Sequence, residues 1–381
     1  MAVAAIFLSA ACIKLDSLFA DDVVREQSWI YTGGAEGARA VLSTIAGSII
    51  TVAGTTFSIT VAALSLASGQ FGPRLLRNFM RDTGNQVVLG TYTSTFLYCL
   101  LVLRKVRGLE DYQNVPHISV TVGVGLAVVS VGVLIYFIHH VAESIQVSHV
   151  IDVVSHELHN AISRLFPERL GAPADQDSAA DTGPGVMIKA RSGGYIQTVD
   201  ESTVMDVAMK RDLCIRLLVR PGDYVVAGGA LAAAWPGAGE DAAADIHAAF
   251  AMGRDRTSHQ DAVFAFLQLA EIALRALSPG VNDPFTAIMC IDRITSGMCY
   301  LAGRELPTSA RRDKDGIIRI VARPYSYDGL VEAGYRHIRE AARGHWQVCR
   351  RLQEQIEYVI GRTDEPEFQA ALRRELVALQ Y

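Results

Sequence analysis

Val41-Leu-Ser-Thr-Ile-Ala-Gly-Ser-Ile-Ile-Thr-Val-Ala-Gly-Thr-Thr-Phe-Ser-Ile-Thr-Val-Ala-Ala-Leu-Ser-Leu-Ala-Ser68 holds no charged residue, and its reading decides the class of fold. The uncharged run extends beyond this stretch, with thirty-four positions separating Arg39 from Arg74. About twenty apolar residues cross the hydrocarbon of a bilayer as a helix, and a helix satisfies its own backbone where no water can. Twenty-one uncharged positions between Asp82 and Arg104, and thirty-one between Asp111 and Glu143, repeat the signal. Three transmembrane helices are therefore predicted, near residues 41–68, 86–104 and 118–138.

The rest of the chain is different in kind. Of its 381 residues, the first 145 carry 18 charged side chains and the remaining 236 carry 57. A membrane domain joined to a water-facing one explains this asymmetry. The net charge of −5 lies wholly in the second part, which argues against a nucleic-acid partner. The six cysteines form no C-x-x-C pair and suit a reducing compartment.

Residues 1–20 form an apolar patch interrupted by Lys14 and Asp16. It lacks the basic start of a signal peptide. Two readings stay open: a first transmembrane helix whose beginning is missing, or an interfacial helix. The loop after it is acidic (Asp21, Asp22, Glu26 and Glu36 against Arg25 and Arg39), whereas the next carries Arg74, Arg77 and Arg81 against Asp82. The excess of basic residues places that second loop in the cytoplasm. Arg104, Lys105 and Arg107 then fall outside, against the rule and partly offset by Glu110 and Asp111. With four spans, both termini are cytoplasmic.

The expected architecture is a multi-pass α-helical membrane domain of about four spans over 1–145, followed by a soluble α+β cytoplasmic region. That region divides into a connecting helix and linker (146–184), a small β-barrel-like module (185–237) and a mainly helical domain (246–381). The linker is small and polar, Gly171 to Pro184. The Arg220-Pro-Gly-Asp turn between short β-prone runs suggests the barrel.

The second span carries a stripe. Ser43, Gly47, Thr51, Gly54, Ser58, Ala62, Ser65 and Gly69 recur at steps of three and four, so they share one helix face, and all are small or hydroxylated. Such a face lets helix backbones approach closely or lines a narrow wet pore. A homo-oligomer is the expected assembly.

Tyr31-Thr-Gly-Gly-Ala-Glu-Gly-Ala-Arg39, Leu42-Ser-Thr-Ile-Ala-Gly-Ser48, Gln70-Phe-Gly-Pro-Arg-Leu-Leu-Arg-Asn-Phe79, Gly84-Asn-Gln86 and Ile138-His-His140 form one set of strings. Ser144-Ile-Gln146, Leu165-Phe-Pro-Glu168, Asp255-Arg-Thr257, Gln260-Asp261 and Arg275-Ala-Leu-Ser-Pro-Gly-Val-Asn-Asp-Pro284 continue it. Together they resemble the bacterial membrane proteins grouped as domain of unknown function 2254. The resemblance covers nearly the whole chain. It implies a multi-pass protein of the bacterial inner membrane and brings no activity with it.

Beyond the membrane, His149, Asp152, His156 and His159 fall at steps of three, four and three on one helix face. Imidazole and carboxylate so spaced can meet a divalent metal or form a pH-sensitive seam; they also make an ordinary polar face. Further on, Arg254, Arg256, Asp261, Arg275, Asn282 and Asp283 crowd the ends of a predicted helix pair, 258–277 and 284–301. Arginine with carboxylate and amide at helix ends can hold an anionic ligand, or fix the loop by ion pairs and caps. Asp283 is placed to cap the second helix, with Pro284 in its first turn.

No Gly-rich phosphate loop, nucleophile elbow or Ser-His-Asp arrangement appears, so no catalytic residue and no cofactor is expected. A membrane-anchored sensor or scaffold is the first functional expectation. A homo-oligomeric pore or transport-like protein, with the second span at its axis, is the alternative. The lipid bilayer and further copies of the chain are the expected partners, and the ligand is left open.

Overall fold

The long uncharged run folds as a single helix, and the chain around it separates into two compact units, Met1–His149 and Val150–Tyr381. The computed structural model describes residues 1–19, 31, 34–71, 83–107, 115–144, 146–168 and 185–379. The loop charges used to orient the chain, Asp21 to Glu26, Arg74 to Asp82 and Glu110–Asp111, lie outside the described residues, as does the linker 171–184.

The first unit is a helix bundle: α1 (Ala2–Phe19), α2 (Ala35–Phe71), α3 (Thr83–Arg107) and α4 (His117–Ser144). Three stretches within it are long and apolar enough to cross a membrane: Ala35–Leu66, Thr83–Val106 and His117–Glu143. With 37 residues, α2 is about 55 Å long at 1.5 Å per residue, longer than the roughly 30 Å hydrocarbon layer. Its buried edge, Ala38, Leu42, Ala46, Ile49 and Ala63, packs with Val88, Tyr92, Tyr98 and Cys99 of α3. Alanines at these positions let the two helices lie close.

The bundle is pinned at one end by polar groups. Asp16 of α1 is buried and accepts hydrogen bonds from the backbone amides of Ile118 (2.8 Å) and Ser119 (2.9 Å), at the start of α4. Those first-turn amides have no partner within their own helix, so a carboxylate from another helix acts as the cap. Tyr98 donates to the Ser119 carbonyl at 2.9 Å, and His117 Nδ1 lies 2.6 Å from the Tyr31 carbonyl. The charge that interrupts the apolar first twenty residues is thus a structural fastener.

The second unit begins in α5 (Val147–Leu165) and continues through β1 (Val186–Lys189), β2 (Gly194–Val199), α6 (Glu201–Lys210), β3 (Cys214–Leu217), β4 (Tyr224–Val225) and β5 (Ala230–Trp235). Next come α7 (Glu240–Ala248), β6 (Phe250–Gly253), α8 (Ala262–Ala276), α9 (Pro284–Ala302), β7 (Ala310–Arg312) and β8 (Ile318–Val321). Helices α10 (Tyr327–Val331) and α11 (His337–Ala341) follow, joined by a π-helical turn, Glu332–Arg336. The unit ends with α12 (Trp346–Ile360) and α13 (Pro366–Ala378).

The strands form two sheets, β1-β5-β3-β8-β7 and β4-β2-β6, and among the described strands neither closes into a barrel. The barrel-like expectation is corrected here for a topological reason. A barrel needs every strand paired on both sides, whereas β1 and β7 bound one sheet and β4 and β6 the other. Side chains of α6 and α7, Val204, Ala208, Ala242 and Ile246, join strand residues Ile196, Ile215, Leu231 and Ile320 in one apolar core. Three of the strands, β6, β7 and β8, come from beyond residue 237. The parallel pairing of β3 with β8 (Ile215 with Ile320) is a long-range contact.

Candidate functional site

The end of α5, the β2–α6 junction, the turn after β3 and the segment after β8 surround a cleft of about 600 Å³ within the second unit. Its lining holds four arginines, Arg164, Arg220, Arg311 and Arg323, against two carboxylates, Asp200 and Glu201. Leu217, Val219, Pro221 and Pro324 supply apolar wall. This volume and mixture suit a small molecule.

Local structure sets each group. Asp200 caps α6, accepting from the amides of Ser202 and Thr203 and from both hydroxyls. Those hydroxyl bonds hold its carboxyl down at about 2, so it is ionised and committed to the helix. Arg311 meets Glu201 at 3.0 Å, and Arg323 meets Asp223 at 3.2 Å. Arg164 instead donates to the His259 carbonyl at 2.6 Å. Arg220 donates to the Pro324 carbonyl at 3.5 Å and lies over the Tyr325 ring, 5.1 Å from its centre. Tyr325 donates its hydroxyl to the Gln260 carbonyl at 2.9 Å. Burial, with the charge of Asp261 nearby, pushes its phenol above the ordinary value, so it remains a protonated donor.

The back of the cleft is anchored by Gln260 and Asp261. The Gln260 side chain accepts from the Val199 amide at 2.8 Å, tying the start of α8 to β2. Asp261 is 1% exposed; one oxygen caps α8 through the Phe264 amide (3.0 Å) and the other meets Arg256 Nε at 2.5 Å. Gly222, at φ +97°, permits the neighbouring turn to lie there: a Cβ would fall on the Asp261 carboxylate.

The six residues proposed as one anionic site are divided. Asp261 stands before α8, while Asn282 and Asp283 follow it, a helix of 15 residues and about 22 Å away. Asp283 caps α9 through the Phe285 and Thr286 amides, and Pro284 opens that helix, as the sequence suggested. Asn282 adopts a positive φ of 50° in the turn. Arg275 lies 3.5 Å from Glu271 on its own helix, Arg256 belongs to Asp261, and Arg254 is exposed.

On α5, the imidazole face is engaged locally. Asp152 meets Arg293 at 2.6 Å, His156 Nδ1 lies 3.0 Å from the Asp152 carbonyl, and His159 Nδ1 lies 2.8 Å from the Ser155 carbonyl, with its ring tilted against Tyr300 at 5.2 Å; His149 is exposed. Among the described residues, no three His, Cys, Asp or Glu side chains are grouped to hold a metal ion.

In the first unit, Ser43, Gly47, Thr51, Gly54, Ser58, Ala62 and Ser65 are all exposed on the bundle surface. Among the described residues, a Cβ at Gly47 or Gly54 would meet no atom within 4 Å beyond its own helix backbone and chain neighbours. The Thr51 and Ser58 hydroxyls bond back to the carbonyls of Gly47 and Gly54. Gly69 lies in the last turns of α2.

The cleft arginines were not singled out in the sequence. They lie 56, 91 and 12 positions apart in chain order, on four different elements, and no local spacing announces them. Only Arg220 carried a signal, and it was that of a turn.

Three helices long and apolar enough to cross a membrane, followed by an α+β unit that holds a cleft, are the pattern of a membrane protein. A family model described as predicted membrane protein, DUF2254, matches residues 1–358, and the chain belongs to that family. An uncharacterized protein of Mycobacterium bovis and one of Mycobacterium tuberculosis are each 38% identical to it over 297 residues. The match covers 75% of this chain and 57% of each relative, so the chain spans little more than half the length of the curated relatives it matches. No solved structure matches.

Proposed function

We propose that the protein is a membrane-anchored sensor, with the first unit as anchor and the second reading a small molecule in the arginine-lined cleft. The observation that carries this reading is the cleft itself: about 600 Å³, with excess cationic lining and a largely committed set of carboxylates. The proposed setting is the bacterial inner membrane, with α1 as a fourth span and the second unit in the cytoplasm. Free thiols at Cys214, Cys299 and Cys349 suit that compartment. A cysteine introduced as Glu240→Cys in a cysteine-free background tests the orientation. It should resist impermeant thiol reagents in intact cells, and labelling there would reverse the assignment.

Native mass spectrometry of the full chain, released from mild detergent, tests the sensor reading. A small molecule should travel with the wild type and be lost in Arg220→Gln. A chain that carries no such molecule, and gains no stability from any small-molecule class, is a scaffold instead.

The exposed stripe supports a second reading, a homo-oligomer in which α2 packs or lines the axis. Both positions are exposed and a Cβ there has open space beyond its own helix, so the effect of a Leu at 47 or 54 reports chiefly on contacts between copies. Gly54→Leu should leave the helical content intact and reduce the oligomer to monomer. Unchanged assembly would mean that the stripe faces lipid.

A further inference from the structure

We infer that the cleft of the second unit takes a phosphate-bearing organic anion, held chiefly by Arg164 and Arg220. The inference rests on the sensor reading and names the chemistry that the sensor recognises. Of the four lining arginines, Arg311 and Arg323 already face Glu201 and Asp223. Arg164 and Arg220 are held by carbonyl oxygens and an aromatic face, contacts that orient a guanidinium without neutralising it. Among the described residues, neither has a carboxylate within ion-pair distance.

The two are positioned by one short segment. Arg164 bonds the His259 carbonyl, the next carbonyl in the chain, Gln260, accepts from Tyr325, and Arg220 lies on the Tyr325 ring. The same segment is locked to β2 through the Gln260 amide and to α8 through the buried Asp261 cap. Two cations are therefore held in one concave site by a rigid support, an arrangement that isolated surface arginines do not need.

Each guanidinium offers five N–H donors in a planar fork, and each spends few of them on carbonyls. One such fork pairs with either a carboxylate or a phosphate, but two forks converging on one group need the several terminal oxygens that a phosphate offers and a single carboxylate does not. The apolar walls, Leu217, Val219 and Pro221, give the organic body of the ligand a place to lie. Inorganic phosphate alone fills little of about 600 Å³. A phosphomonoester or diphosphate on an organic body fits both the charge and the volume.

The full chain in detergent, titrated calorimetrically at low salt with ATP, pyrophosphate, citrate and glucose, tests this. ATP is expected to bind more tightly than pyrophosphate, pyrophosphate more tightly than citrate, and glucose not at all. Arg164→Gln and Arg220→Gln should each weaken ATP binding at least about tenfold, since a charge-assisted fork is lost. The double variant should abolish it, and Arg220→Lys, which keeps the charge without the fork, should fall between. Arg164 is exposed and its removal strands no carboxylate, so Arg164→Gln remains folded and interpretable. Equal ATP binding by wild type and the double variant would overturn the assignment. Citrate or glucose binding in place of the phosphates would overturn the ligand class and leave the sensor reading standing. Binding of no probe, with nothing retained by the wild type in native mass spectrometry, would remove both.

Discussion

Asp261→Ala is the sharpest test of how the second unit is built. The Asp261 carboxylate is 1% exposed, and its two oxygens do different work. One caps α8 through the Phe264 amide, and the other pairs with Arg256, whose side chain is 24% exposed. Loss of an N-cap costs about 1 kcal/mol. Removal of one partner from a buried pair costs about 3–5 kcal/mol. Arg256 keeps some water and an aromatic neighbour, Phe264 at 5.3 Å, so the lower end applies. The total is about 4 kcal/mol. For a unit of this size, 1 kcal/mol moves the melting temperature by roughly 2–4 °C, so differential scanning calorimetry of the full chain should show the second unit melting about 8–16 °C lower. Asp261→Asn keeps a good cap and loses only the charge, and should recover roughly 2–4 °C of that drop. Arg275→Ala provides the contrast. Asp261 lies at the far end of α8 and Asp283 is turned to its own cap, so neither carboxylate is stranded and the drop should be less than half as large. Equal melting of Asp261→Ala and Asp261→Asn would refute the capping role. An Asp261→Ala protein within about 2 °C of wild type would refute the buried pair as well.

Two further outcomes follow from polar groups elsewhere. Asp16→Ala leaves the Ile118 and Ser119 amides without their acceptor, at about 1–3 kcal/mol for unsatisfied buried donors; hydrogen exchange at the start of α4 should accelerate, and unchanged protection would show that the cap is dispensable. His247 is held below the ordinary histidine value by burial and by the charge of Arg191, so the folded unit favours the neutral ring. Its contribution is present above the unfolded value of about 6.5 and is lost as the pH falls through the lower folded one. The second unit should therefore melt progressively lower as the medium is acidified below that value, and His247→Phe should flatten this dependence; an identical slope in the variant would place its origin elsewhere.

The spans were legible in the sequence because exclusion of charge from hydrocarbon is a local property: Arg39, Arg74, Asp82, Arg104, Asp111 and Glu143 bracket helices without reference to any contact. The capping of α9 by Asp283 and Pro284 was legible for the same reason, since a cap needs only its own first turn. The stripe on α2 was visible as spacing, but spacing cannot say which way a face points. Packing decided that, because Ala38, Leu42, Ala46 and Ile49 bury the opposite edge against α3 and turn the stripe outward. Asp16 read as a flaw in an apolar segment until α4 brought two unpaired amides to it. The barrel yielded to two sheets because pairing between residues about a hundred positions apart, such as Ile215 with Ile320, leaves no trace in a run of short strands. The cleft is the extreme case. Arg164, Arg220, Arg311 and Arg323 approach one another only after α5, the two sheets and the start of α8 have packed, so its chemistry is a property of the tertiary structure alone.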